Sequence, residues 1–188
     1  MASKKLLIIQ TSPPHTASTL LVNALYGLID ELEDKNIFFN KDAEQLDEII
    51  EKDFGDKNIA VIKTHNTNID KLINVYKDKY DLYFVCSQRP KHNLYIENKY
   101  LSYKNVVIFN FVELNETSEN TIPKIIDTIY DRVYNLLSKY EFIKLNKENG
   151  IQRINNMNTV YKEIKNKPFS YVDPFFEIHG SHRNRKGK

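Results

Sequence analysis

Only one cysteine, Cys86, occurs in the 188 residues, so no disulfide can form within the chain, and a reducing compartment is the simpler setting. Set in an apolar run, Cys86 is expected as a small buried hydrophobe. An excess of either charge is also lacking. The 27 Lys and Arg against 25 Asp and Glu leave a formal net charge of +2, too little to attract nucleic acid by bulk electrostatics. No apolar run approaches the ~18–20 residues that a membrane span requires. The start, Met1-Ala2-Ser3-Lys4-Lys5, is positive, yet the apolar stretch behind it is short and has no small-residue cleavage site. It reads as a first strand rather than a signal peptide. These absences give the expectation of a cytoplasmic protein with no membrane and no nucleic-acid partner. No linker or repeat divides the chain, so residues 1–188 are expected to form a single domain, with an irregular segment from about 168 packing back on the body.

What is present is an alternation of short apolar runs and helical stripes. Apolar runs near residues 6–9, 58–65, 81–88 and 105–114 predict strands, the last running into a turn. Leu20, Leu21, Ala24, Leu25, Leu28 and Ile29 recur at helical spacing, as do Ile122, Ile125, Ile126, Ile129, Val133, Leu136 and Leu137. Pro123 is compatible with the second stripe only in its first turn. Further helices are expected over 43–54, 69–80 and 147–167. Strand and helix in alternation predict an α/β three-layer sandwich with a central, mainly parallel sheet of four to five strands.

The segment from Gln10 to Leu21 carries the most chemistry. An apolar strand stops at Ser12-Pro13-Pro14, and a run of Thr16, Ser18 and Thr19 leads into the first helix. A loop feeding a helix start directs free N–H groups and the positive end of the helix dipole at one spot, and the hydroxyls add donors there. A phosphate or sulfate group is the natural occupant; the plain alternative is an ordinary capped helix. The triphosphate-loop string G-x-x-x-x-G-K-[ST] is absent. No acidic residue closes the first or second strand to hold Mg²⁺, and no metal site is expected.

Three further segments carry candidate side chains. Asn58 to His65 is a strand ending Lys63-Thr64-His65. In a parallel sheet its end lies on the same edge as the phosphate loop, and Lys63 and His65, two apart, project to one face of an extended chain. The unperturbed histidine pKa near ~6.5 suits general-base work at neutral pH. Arg89 follows the third apolar run, and its planar fork suits a phosphate. The tyrosines Tyr76, Tyr80, Tyr83, Tyr95, Tyr100 and Tyr103 surround that run, either lining an acceptor pocket or half-buried with the hydroxyl in water. The end of the chain is basic, with Arg185-Lys186-Gly187 close to the last residue.

Taken in order, these segments resemble the sulfotransferases that use PAPS (3′-phosphoadenylyl sulfate). Pro14-His15-Thr16-Ala17-Ser18-Thr19-Leu20-Leu21 is similar to their 5′-phosphosulfate loop, P-[RK]-[ST]-G-[ST]-T-x-L, with His15 for the basic residue and Ala17 for glycine. Lys63-Thr64-His65 is similar to the strand end that carries the family's catalytic base. The segment at Arg89 resembles the 3′-phosphate region, although Arg89 directly precedes Pro90, and Glu97 stands where the family has Ser. Arg185-Lys186-Gly187 is similar to a late basic loop that closes the cofactor site.

The resemblance implies a P-loop NTPase-like fold and transfer of a sulfuryl group from PAPS, leaving PAP, to a small-molecule or glycan acceptor. It makes His65, Lys63 and His15 the catalytic candidates. Pro14, His15, Thr16, Ala17, Ser18, Thr19, Arg89, Arg185, Lys186 and Gly187 become the cofactor-binding candidates. Two other readings share the features: a non-catalytic PAP-binding protein derived from such an enzyme, and a P-loop nucleotide kinase working without the loop lysine. Where the family has a fixed cation, His15 is charged only in part near neutral pH. Cofactor affinity is therefore expected to tighten below about pH 6.5, the unperturbed histidine value. Calorimetric titration between about pH 6 and 8 checks this; flat affinity contradicts a charged His15.

Overall fold

The computed structural model describes residues 4–29, 39–40, 50, 58–173, 175–176 and 178. Five parallel strands form one sheet: β1 (Lys5–Thr11), β2 (Phe39–Asn40), β3 (Ile59–Thr64), β4 (Tyr80–Gln88) and β5 (Val106–Asn110), in the order β2-β3-β1-β4-β5. The helices are α1 (Ser18–Leu28), α2 (Ile69–Tyr76), α3 (Phe111–Leu114), α4 (Ile122–Leu137) and α5 (Lys147–Glu163). No described helix is long and apolar enough to cross a membrane.

β1 lies between β3 and β4, covered on both faces, which explains its unbroken apolar run Leu6-Leu7-Ile8-Ile9. Leu6 and Ile8 join Ile59, Val61 and Val85 beneath α1, α4 and α5. Leu7 and Ile9 join Ile62, Leu82 and Phe84 beneath α2 and the 3₁₀ segment Asn98–Ser102. The three layers expected from the alternation of elements are present. Cys86 is fully buried in the second core, and burial pushes its thiol well above the ordinary range. It is the inert hydrophobe the sequence suggests.

Boundaries depart from the sequence reading in three places; one is the helix expected over 147–167, which ends at Glu163 before a 3₁₀ turn, Ile164–Asn166. The helix expected over 69–80 ends at Tyr76, because Tyr80 already pairs with Lys5 in the sheet. Residues 111–114, expected as the turn into which the last strand runs, form α3, which starts with a capping box made by Asn110 and Glu113. The helix expected over 43–54 lies outside the described residues apart from Ile50, which is helical and buried. The stripe over 122–137 is α4, with Pro123 in its first turn. Among the described residues past 168, Phe175 O accepts from Arg153 Nη2 at 2.8 Å and Phe176 O from Asn23 Nδ2 at 3.0 Å.

β1 leads into α1 on one face of the sheet, whereas β4 leads toward the 3₁₀ segment Asn98–Ser102 on the other. The adjacent carboxyl ends of β1 and β4 are therefore the switch point where open α/β sheets bind ligands. α1 is held over that point by α5. Gly27 is the closest contact, since a Cβ there would stand 2.8 Å from Gly150 Cα and 2.9 Å from both Arg153 Cβ and Asn149 O. Gly27→Ala adds ~1 kcal/mol of helix propensity but forces two helix backbones apart, at a cost of ~1–3 kcal/mol. Urea unfolding is expected to show a net loss of stability for Gly27→Ala. A stabilised variant would contradict the close approach.

Candidate functional site

Six residues, 12–17, connect β1 to α1. His15 (φ 69°) and Ala17 (φ 66°) both adopt the left-handed conformation that usually calls for glycine. Ala17 is the N-cap of α1 and its side chain has no oxygen to give. No side chain caps the helix, and no acidic residue stands in its first turn. The side-chain cap of the plain alternative is therefore not formed. Alternating left-handed residues ahead of a helix start make the concave set of N–H groups that suits an anion.

Beneath the loop lies a buried polar floor. Ser12 Oγ accepts from Ser87 N–H at 2.8 Å and from Gln10 Nε2 at 2.6 Å, and it lies 2.9 Å from Ser87 Oγ. Thr16 Oγ1 donates to Pro13 O at 2.8 Å and lies 2.9 Å from Ser87 Oγ. Gln10, Ser12, Thr16 and Ser87 are all fully buried. Gln10 Oε1 has no hydrogen-bond partner among the described residues. The register pairs Gln10 with Lys63, a residue 2% exposed whose ammonium donates to Thr19 Oγ1 at 3.0 Å. A buried cation is thereby fixed against the first turn of α1. Its charge complements whatever anion that turn holds.

His65 follows the end of β3, half-buried, with Nδ1 2.6 Å from Ser12 O. A carbonyl only accepts, so Nδ1 carries the proton and Nε2 is the basic nitrogen of the neutral ring. Thr11 Oγ1 donates to Asn66 O, and Asn66 N–H donates to Thr64 Oγ1 at 3.0 Å, which pins this turn to the sheet.

A cleft of about 550 Å³ opens beside the loop, toward β4 and β5. His15, Ala17, Ser18, Thr19 and Leu20 line one part of it. Arg89 lines it too, its guanidinium 4.2 Å from the centre of the Phe111 ring. Phe111 and Leu114 to Glu116 at the exit of β5, with the second half of α5, complete the walls. The cleft thus joins Arg89 to the loop residues expected beside it. Lys63 does not line the cleft itself but donates to Thr19, which does, and His65 stands at the β3 end on the other side of the loop.

Two expectations change. The Thr16 hydroxyl, read as a donor to the anion, is turned into the floor and serves to hold the loop. Pro14 is exposed and does not line the cleft. Arg185, Lys186 and Gly187 lie outside the described residues. Of the tyrosines, Tyr76 and Tyr100 are fully buried, while Tyr100 and Tyr103 donate to Asp70 at 3.3 and 2.9 Å. Lys99, with these hydroxyls, holds the Asp70 carboxyl below its usual range. Those rings brace α2 rather than wait for a ligand. The sequence reading missed Gln10, Ser12 and Ser87. Their signal is visible in retrospect as polar residues ending strands that are otherwise apolar.

Comparison with protein-family models, with curated proteins and with solved structures yields no match. Ser12→Ala would remove the acceptor of a buried N–H, a loss of ~1–3 kcal/mol. Chemical denaturation is expected to show that loss, and an unchanged midpoint would mean that the floor does not hold the loop.

Proposed function

We propose that this chain transfers a sulfuryl group from PAPS to a hydroxyl or amine of a small-molecule or glycan acceptor. The observation that supports this reading best is the start of α1, with no side-chain cap, two left-handed residues before it and the buried Lys63 ammonium on Thr19. Such a site takes a compact anion with several oxygens, and it has no carboxylate in the helix's first turn to oppose one.

PAPS supplies an activated sulfuryl group whose transfer asks mainly for in-line positioning and stabilisation of charge. N–H groups of residues 16–20 and the Ser18 and Thr19 hydroxyls would hold the phosphosulfate. Lys63 would offset charge growing on the bridging oxygen as the sulfur–oxygen bond breaks. His65 Nε2 would take the acceptor proton as the new oxygen–sulfur bond forms. Arg89, placed in the same cleft, would pair with the 3′-phosphate.

The test joins binding to turnover. A ligand bound only to the folded state at about 100 times its dissociation constant adds ~2.7 kcal/mol, an easily seen thermal shift. PAP is expected to raise the melting temperature where ATP with Mg²⁺ does not. His65→Ala is expected to keep the PAP shift while losing sulfated product from acceptors screened with the parent chain. No shift with PAP overturns the reading; a shift without product from any chain would favour the non-catalytic binding protein.

A further inference from the structure

We propose that Asn158 reads the nucleobase in the cleft and selects adenine, with Glu116 as the positioning residue that fixes which way the Asn158 amide faces. The assignment rests on the nucleotide reading above. α1 and α5 run antiparallel, since Gly27 meets Gly150 while Arg153 Nε donates to Asn23 Oδ1 at 3.2 Å. The second half of α5 is thereby carried to the first turn of α1, and Met157, Asn158 and Tyr161 line the cleft beside it. Phe111 and Leu114 face the same space from the exit of β5. Apolar and aromatic walls with a few fixed polar groups are what a flat heteroaromatic ring requires.

Asn158 Nδ2 donates to Glu116 Oε2 at 3.2 Å, and both residues line the cleft. An ionised carboxylate only accepts, so the amide nitrogen must face Glu116; turned over, it would set oxygen against oxygen. One Nδ2 hydrogen is used by Glu116. With Glu116 on the hydrogen anti to Oδ1, the other hydrogen shares the edge of Oδ1, and the two would present one donor beside one acceptor. Adenine offers the complement, the N6 amino group beside the N7 acceptor. Guanine offers two acceptors, O6 and N7, and would place O6 against Oδ1.

Calorimetry with PAP and with its guanosine counterpart, 3′-phosphoguanosine 5′-phosphate, tests the assignment on the full chain. PAP is expected to bind at least about tenfold more tightly, the size of a good bidentate contact. Asn158→Ala, on a half-buried helix surface, is expected to bring the two nucleotides within about threefold of one another. Glu116→Gln lets either end of the amide face the loop. It is expected to narrow the preference without changing the stability of the free chain, an effect that a purely structural role would not give. Equal binding of both nucleotides by the parent chain, or an undiminished preference in Asn158→Ala, overturns the assignment and leaves the nucleotide reading standing. Failure of both nucleotides to bind overturns the nucleotide reading, and this assignment with it.

Discussion

The hydroxyl of Ser12 is where sheet, loop and helix meet. Through Ser87 it ties the end of β1 to the end of β4, and through Ser87 again it reaches Thr16 in the loop. Its own carbonyl receives His65 from the end of β3. Three neighbouring strand ends are thus joined at one residue. The left-handed residues illustrate why such bracing is needed. His15 and Ala17 each cost about 1–2 kcal/mol in that conformation, a sum that a free loop would relieve by turning. Leu21, Leu25 and Leu28 on α1 are fully buried, each contributing roughly 1.5–3 kcal/mol, so the core holds the helix in place and the loop must conform.

Much of the fold could be read from the sequence because its elements are governed by periodicity. The four longer strands stand where the apolar runs predict them, and α4 follows its stripe of isoleucines to within a residue at each end. Errors fell where a local contest decides the outcome. At Tyr80 sheet pairing overrides helical spacing, and at Asn110 a capping box turns an apolar segment into a short helix.

The candidate site was legible in part, and the division follows from physics. Backbone shape after β1 is signalled by Pro and by hydroxyl residues, so the loop could be located. Which way each hydroxyl points is decided by residues far off in sequence. Thr16 looks like Ser18 and Thr19 in the string, yet Ser87, 71 positions away, draws it inward. The pairing of Asn158 with Glu116 bridges 42 positions, and no local pattern announces it. Gln10 shows the same limit: as a polar residue in a buried strand it is detectable, while its unpartnered oxygen is a property of packing alone.

On the proposed reading, the position of His65 outside the cleft is compatible with an in-line displacement. An in-line displacement places the attacking oxygen and the leaving oxygen on opposite sides of the transferred group. The sheet order sets β3 on one side of β1, and β4 and β5 on the other. A base at the end of β3 therefore faces the loop from one side, while a donor held between α1, Arg89 and α5 approaches it from the other. Lys63 projects from β3 yet reaches Thr19, so its charge falls between the two, where the breaking bond would lie.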